Sequence, residues 1–365
     1  MGRFLQLVLV LAALLIGYLT LWPTPVNPVA WEAPETEGYT GPFAANTRLA
    51  GPKLLPLARG HGPEDIVIDA NGLIYTGVED GAILTLDPVT GASAVFANTG
   101  GRPLGLEFDA GGNLIVADAY KGLLSISPAG KISVLADKAE DGSVIGYADD
   151  LDITPDGVIW FSDASTKFIP PDWNGTEAAS LPEIWEHKGT GRILRYDPAT
   201  GDIATVATDI VFANGVAADP DGQFILYNET GTYRVMKYWV AGPQKGRTES
   251  FIGNLPGFPD NINRDKDGTY LLGLVAVRST DVDRLAGSPF LRKMLWRIPG
   301  FSSAVVPPQY SHLVRLDADG KVVETWQDPS GAYPQVTGGV RGADDTIYVS
   351  SLSAPTIAVL PPSTK

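Results

Sequence analysis

Short apolar runs recur along this chain, and the residue just before each is distinctive. Those residues are Glu64, Pro103, Asp149 with Asp150, Asn214, Asp260 with Asn261, and Gln335. All but Pro103 are carboxylates or carboxamides, which offer oxygen ligands only. A set of this kind with no Lys or His beside it selects a hard cation, and Ca²⁺ tolerates irregular oxygen ligation best. Without an ion, converging carboxylates would repel one another and hold their protons to higher pH. Taken singly, any of them could cap a strand or hold a channel water. Taken together, they read as a metal site.

These residues lie far apart in sequence, so a repeat must gather them. An apolar stretch ending in Asp-x-x-Gly, an alternating strand, a turn and a second strand recur at Gly62–Leu86, Arg102–Ile126 and Asp149–Ser162, the last resumed at Gly191–Tyr196. Further copies lie at Asn214–Tyr238, at Asp260–Leu274 resumed at Ser311–Leu316, and at Gln335–Leu360. Such units cannot bury a face alone, and six all-strand units at this period predict an all-β, six-bladed propeller. The innermost strand of each blade then lines a central metal-binding channel, and residues at the start of those strands crowd toward the axis. Asp69, Asp156, Asp221 and Asp267 belong to the turns themselves, where Asp bonds its own backbone and Gly supplies positive φ.

The last repeat lacks an outer strand, and Thr47–Leu57 belongs to no unit. A ring cannot leave two open edges, so this N-terminal segment is expected to complete the final blade. Two insertions break the rhythm, Thr166–Thr190 and Val275–Tyr310. Structureless loops of that length usually have a function. The second carries Leu285, Phe290, Leu291, Met294, Leu295, Trp296, Ile298 and Phe301, which read either as a lid or membrane- or partner-facing helix or as a local core. Among three histidines, His187 lies in the first insertion, where it could hang over the channel mouth as a proton carrier or serve a surface role. His312 falls on an outer strand as a structural residue, and His61 sits on the approach to Glu64.

The chain has no cysteine, which excludes disulfides, thiolate metal sites and cysteine nucleophiles. A net charge of −15 argues against nucleic acid or an anionic membrane as a surface partner, because no basic patch stands out in the sequence. Phe4–Trp22 is an uncharged apolar run behind Arg3, about long enough to span a bilayer's hydrocarbon core of ~20 residues. It reads as a single-pass anchor or a signal-like segment (1–24), with a linker at 25–46 and the propeller at 47–361. Arg3 and the acids Glu32, Glu35 and Glu37 place the propeller on the non-cytoplasmic side: periplasmic, lumenal or extracellular.

Several motifs carry a resemblance. Arg102-Pro-Leu-Gly-Leu106, Val116–Leu124, Asp150-Leu-Asp152, Thr190–Pro198, Asn214-Gly-Val-Ala217, Tyr238–Pro243 and Leu255–Asn261 resemble the strictosidine synthase-like proteins. That group includes the adipocyte plasma membrane-associated proteins and sits within the wider senescence marker protein 30, gluconolactonase and paraoxonase superfamily. The resemblance implies one Ca²⁺ in the central channel on Glu64, Asn214 and Asp260, with Asp149 and Asn261 at the remaining ligand positions. Asp149 stands where the family pattern has Asn. A paraoxonase-like histidine pair has no counterpart here. The late glutamate that strictosidine synthases use for amine condensation is also missing, since that stretch reads Tyr333-Pro-Gln-Val-Thr337.

The expected function is a calcium-dependent hydrolase of small lactones or aryl esters. Asp260, Asn261 and His187 are the catalytic candidates, with Asp260 or His187 moving the proton. A non-catalytic calcium-held propeller that binds a partner, and other ring-opening or isomerising chemistry, are the alternatives.

Overall fold

The computed structural model describes residues 2–301 and 307–362; residues 302–306 of the second insertion lie outside the described residues. Six four-stranded antiparallel sheets stand in a ring. Blade one runs from Ile66–Ile68 to Ser93–Asn98, blade two from Pro103–Phe108 to Ile132–Ala136, and blade three from Ala148–Ile153 to Asp202–Ile210. Blade four spans Ala213–Ala218 to Thr248–Ile252 and blade five Gly257–Arg264 to Val322–Asp328. Blade six holds Val336–Arg341, Ile347–Ser351 and Thr356–Leu360, and Lys53–Pro56 pairs with Thr356–Val359 as its outer strand. The ring is thus closed by its own two ends, and neither edge is left unpaired.

The apolar core is itself a ring, because alternation gives every blade two apolar faces. Val67 and Ile83 pack on Leu106 and Val116 between blades one and two. Equivalent clusters fill each of the other interfaces, ending with Leu55 and Ile357 of blade six against Ile66 and Ile74 of blade one. Each such side chain contributes roughly 1.5–3 kcal/mol on burial. The hairpin turns use the expected chemistry: Asp69 Oδ1 accepts from the amides of Asn71 and Leu73, both at 2.9 Å. Blade four makes the same bond from Asp219, which stands where Asp69 does and accepts the Gln223 amide at 2.9 Å in place of the expected Asp221.

Both insertions fold into helices. The first forms α2 (Pro170–Trp173) and α3 (Thr176–Glu186); the second forms α4 (Thr280–Arg284) and α5 (Pro289–Trp296), while the N-terminal run is α1, Gly2–Leu21. The two insertions pack on each other, with Trp185 against Phe301 and Trp296 and Trp185 Nε1 donating to the Arg292 carbonyl at 3.0 Å. The buried Arg292 guanidinium returns a bond to the Trp185 carbonyl at 2.6 Å. The insertion's apolar residues therefore divide: Leu285, Leu295, Trp296 and Phe301 join a local core with Val26, Phe168 and Trp185, while Phe290, Leu291 and Ile298 stay exposed.

The proline-rich stretch 25–46 lies along the propeller rather than free of it. Val29 N donates to Glu186 O at 3.0 Å, Trp31 N to Ala286 O at 3.2 Å, and Asn46 reaches Thr325. Helix α1 buries no residue and is long and apolar enough to cross a membrane. Its last turn is tethered, however: Tyr18 Oη donates to Arg297 O at 2.6 Å, and Arg297 donates back to the carbonyls of Trp22 and Leu19.

Candidate active site in the propeller channel

Five of the six innermost strands carry one extra residue where they begin. Ala148 pairs with Asp163 and Leu151 with Phe161, so three steps on one strand face two on the other. The same shift falls between Ala213 and Val216, Pro259 and Ile262, Pro103 and Leu106, and Val336 and Gly339. A bulge of this kind bends the strand and re-aims its side chains, which lets adjacent residues take different tasks. Asp149 lines the central cavity, whereas Asp150 Oδ2 accepts the Val216 amide at 2.7 Å and ties blade three to blade four. Asp65, directly after Glu64, has the equivalent role between blades one and two, accepting the Leu106 amide at 2.9 Å.

Glu64, Asp149, Asn214 and Asp260 line one wall of a cavity of about 800 Å³. Leu104, Phe212 and Phe258 stand beside them, and the two insertions supply Ile184, Trp185, Val282, Leu285, Trp296 and Phe301. Four separate blades thus bring the oxygen-bearing residues together. Gly215 permits the approach of blade four to blade five, because a Cβ there would stand 2.5 Å from the Asp260 carbonyl. That same carbonyl accepts from Asn228 Nδ2.

Asn261 does not line the cavity. It is buried behind the wall, donating from Nδ2 to Glu64 Oε1 at 3.0 Å and to Glu64 O at 3.1 Å. Thr337 Oγ1 also donates to Glu64 O, at 2.5 Å. Gln335 is at the rim and donates to Glu177 of α3 at 3.1 Å.

His187 is placed elsewhere. It caps α3 with φ 57°, is 6 % exposed, and stacks on Trp31 with ring centroids 3.8 Å apart. It is not among the cavity-lining residues. Burial, and secondarily the Arg292 charge, push its pKa down to about 3, so it is a neutral packing residue and a poor proton carrier. His312 is likewise buried and pushed down to about 3 by burial, between Tyr310 and Phe43.

Two residues of the site were missed in the sequence. Arg102 is 1 % exposed, donates to the Gly62 carbonyl at 3.0 Å and pairs with Glu79 at 3.1 Å. It is the cation nearest the cluster and favours the charged forms of Glu64 and Asp149. In the repeat register Leu104 holds the position of Glu64 and Arg102 lies two residues earlier, at the place of Gly62, so the register does not single it out. Tyr147 lines the same wall. Its phenol is pushed well up by burial and then by Asp149, Asp260 and Glu64, so it stays protonated. No motif marked it.

The electrostatics agree with a crowded acid cluster. Burial, then the Asp65 charge, raise Glu64 to about 7. Asp149 is raised by burial and then by Glu64 and Asp150, and Asp260 by burial and then by Glu64 and Asp149. Among the described residues, no three His, Asp or Glu side chains stand close enough together to hold a metal ion as they are placed. The donor chemistry nevertheless fits a hard cation: three carboxylates and a carboxamide, with Glu64 Oε2 and Asn214 Oδ1 buried and without a hydrogen-bond partner.

Comparison with known proteins agrees with this architecture. The strictosidine synthase profile matches residues 149–243, and the strictosidine synthase-like N-terminal profile matches 41–86. The adipocyte plasma membrane-associated protein of Rattus norvegicus is 30% identical over 381 residues, covering 98% of each chain. The chain belongs to the strictosidine synthase-like family. A strictosidine synthase-like protein of Arabidopsis thaliana is 33% identical over 309 residues, covering 83% of this chain and 80% of that one. Among solved structures, a Xanthomonas campestris gluconolactonase superposes with a TM-score of 0.61 at 16% identity, covering 94% of this chain and 99% of that one. An Agrobacterium tumefaciens calcium-binding regucalcin gives 0.57 at 17%, covering 86% and 98%. At such identities these two structures attest the propeller alone. This chain shares with them the six-bladed ring.

Proposed function

We propose that this strictosidine synthase-like protein is a calcium-dependent hydrolase of small lactones or aryl esters. The observation that carries the reading is the pair of orphaned buried oxygens, Glu64 Oε2 and Asn214 Oδ1, set beside Asp149 and Asp260 in an apolar cavity. Glu64, Asn214, Asp260 and Asp149 would hold the ion. When bound, Ca²⁺ polarises an ester carbonyl and stabilises the charge that develops on its oxygen.

The protein's own groups do the rest. Leu104, Phe212 and Phe258 take the apolar body of the substrate and exclude water from it. Asp260, its backbone pinned by Asn228, orients the attacking water and accepts its proton. Tyr147, kept protonated, can donate a hydrogen bond to a substrate oxygen. Asn261 acts from behind by fixing Glu64, and His187 has no role in the reaction. The gluconolactonase and calcium-binding regucalcin among the fold's neighbours favour this reading over amine condensation, as does a sixth-blade wall of Pro334, Gln335, Leu352 and Ser353 without a carboxylate.

In the same reading α1 is a retained single-pass anchor and the propeller faces the non-cytoplasmic side. The test is turnover of a panel of γ- and δ-lactones and aryl acetates by metal-stripped protein with and without added calcium. Calcium-restored turnover that Asp260→Asn abolishes supports the proposal. A calcium-loaded chain inert across the panel would instead be a binding propeller.

A further inference from the structure

The second insertion presents an apolar face that none of the described residues covers. In α5, at about 100° per residue, Phe290, Leu291 and Met294 share one arc, while Arg292, Leu295 and Trp296 point the other way into the local core. Phe290 is 60 % exposed, Leu291 47 %, and Ile298 just beyond the helix 42 %. From Arg284 to Phe301 the sequence holds Arg284, Arg292, Lys293 and Arg297 and no acidic residue, in a chain of net charge −15. Arg292 and Arg297 are buried and Arg284 pairs with Asp281 at 3.2 Å, so Lys293, which donates to Asn27 Oδ1 at 2.9 Å, is the basic side chain that stands at this face.

What stands beside this face is α1. Arg297 holds the last turn of α1 through the Leu19 and Trp22 carbonyls and receives a bond from Tyr18. Tyr18 and Trp22 lie 5.8 Å apart at that end, the side chains that favour a membrane–water interface. A bilayer that takes α1 therefore meets Phe290, Leu291 and Ile298 where the helix emerges. We infer that the apolar face of α5 is a membrane-docking surface, seated in the interfacial layer of the same bilayer that holds α1. An apolar helical face held beside a membrane-spanning helix lies in this way at a lipid surface. Because Trp296 and Phe301 line the central cavity from the same insertion, docking brings the cavity's insertion side next to lipid. The inference rests on α1 being an anchor, but not on the reaction proposed for the cavity.

The absence of cysteine allows a direct test. Single cysteines at Phe290 and Ile298, at Leu9 within α1, and at the exposed Val89 and Val134 of blades one and two are labelled with a fluorophore. The full-length protein is reconstituted in phosphatidylcholine–phosphatidylglycerol vesicles. Quenching by brominated acyl chains is then compared with quenching by aqueous iodide. The expected result is at least a threefold higher lipid-to-iodide quenching ratio at 290 and 298 than at 89 and 134, with the label at 9 higher still. Ratios at 290 and 298 equal to those at 89 and 134, with the label at 9 lipid-quenched, overturn docking while leaving the anchor intact. Shielding from iodide without lipid quenching means that a second copy or another protein covers the face, and also overturns it. A label at 9 that lipid does not quench removes the anchor and the inference together.

Discussion

Asn261 Nδ2 donates to both the side-chain and main-chain oxygens of Glu64, at 3.0 and 3.1 Å, across 197 residues of sequence. Blade five thereby fixes the only cavity carboxylate that blade one contributes. Outer partners of this kind typically control metal affinity by 10–100-fold. Asn261→Ala is expected to weaken calcium binding by about that factor, read by calorimetry on metal-stripped protein, with the far-ultraviolet circular dichroism unchanged. Unaltered affinity would mean that Glu64 is not a ligand.

Protons and calcium should compete for the cluster. Glu64 titrates near 7 against an ordinary value of 4.5, so in calcium-free protein the folded state keeps its proton longer than the unfolded chain does. The stability associated with that proton is fully present below pH 4.5 and is lost as pH rises through about 7. Thermal melts in chelator should accordingly fall more steeply with rising pH for wild type than for Glu64→Gln. Added calcium should remove the difference, and its affinity should drop as pH falls below about 7.

Arg102 and the ion act on the same acids. Replacing Arg102 with Gln takes away the nearest positive charge and the bond to the Gly62 carbonyl. We expect calcium-free protein to lose about 1–3 kcal/mol, the cost of leaving a buried group unsatisfied. Calcium binding should at the same time become tighter, since a competing cation has gone. Parallel losses in both measurements would show that Arg102 only supports the fold.

His187 and Asp260 should separate cleanly. His187→Ala removes the stack on Trp31 and leaves alanine at φ 57°, so about 1–3 kcal/mol of stability should be lost while kcat stays within twofold. Asp260→Asn should lower kcat by at least a hundredfold with little change in melting temperature when calcium is saturating. Equal losses of kcat in the two variants would return His187 to the reaction.

Local pattern carried much of the architecture. Alternation and Asp-x-x-Gly turns mark the inner strands of the blades, and the surplus segment at Thr47–Leu57 found its edge at Thr356–Leu360 because an open ring leaves unpaired backbone. The approximate location of Glu64, Asp149, Asn214 and Asp260 follows from the same register. What each neighbouring residue does was decided only in three dimensions. The bulges turn Asp149 toward the cavity and Asp150 toward blade four, and a one-residue change of aim leaves no trace in periodicity. Arg102 became the counter-charge, His187 a packing residue beneath Trp31, and Asn261 a clamp on Glu64, because each role depends on a partner from a distant segment. Burial and charge are sums over such neighbours, and the chain acquires them only when the ring closes.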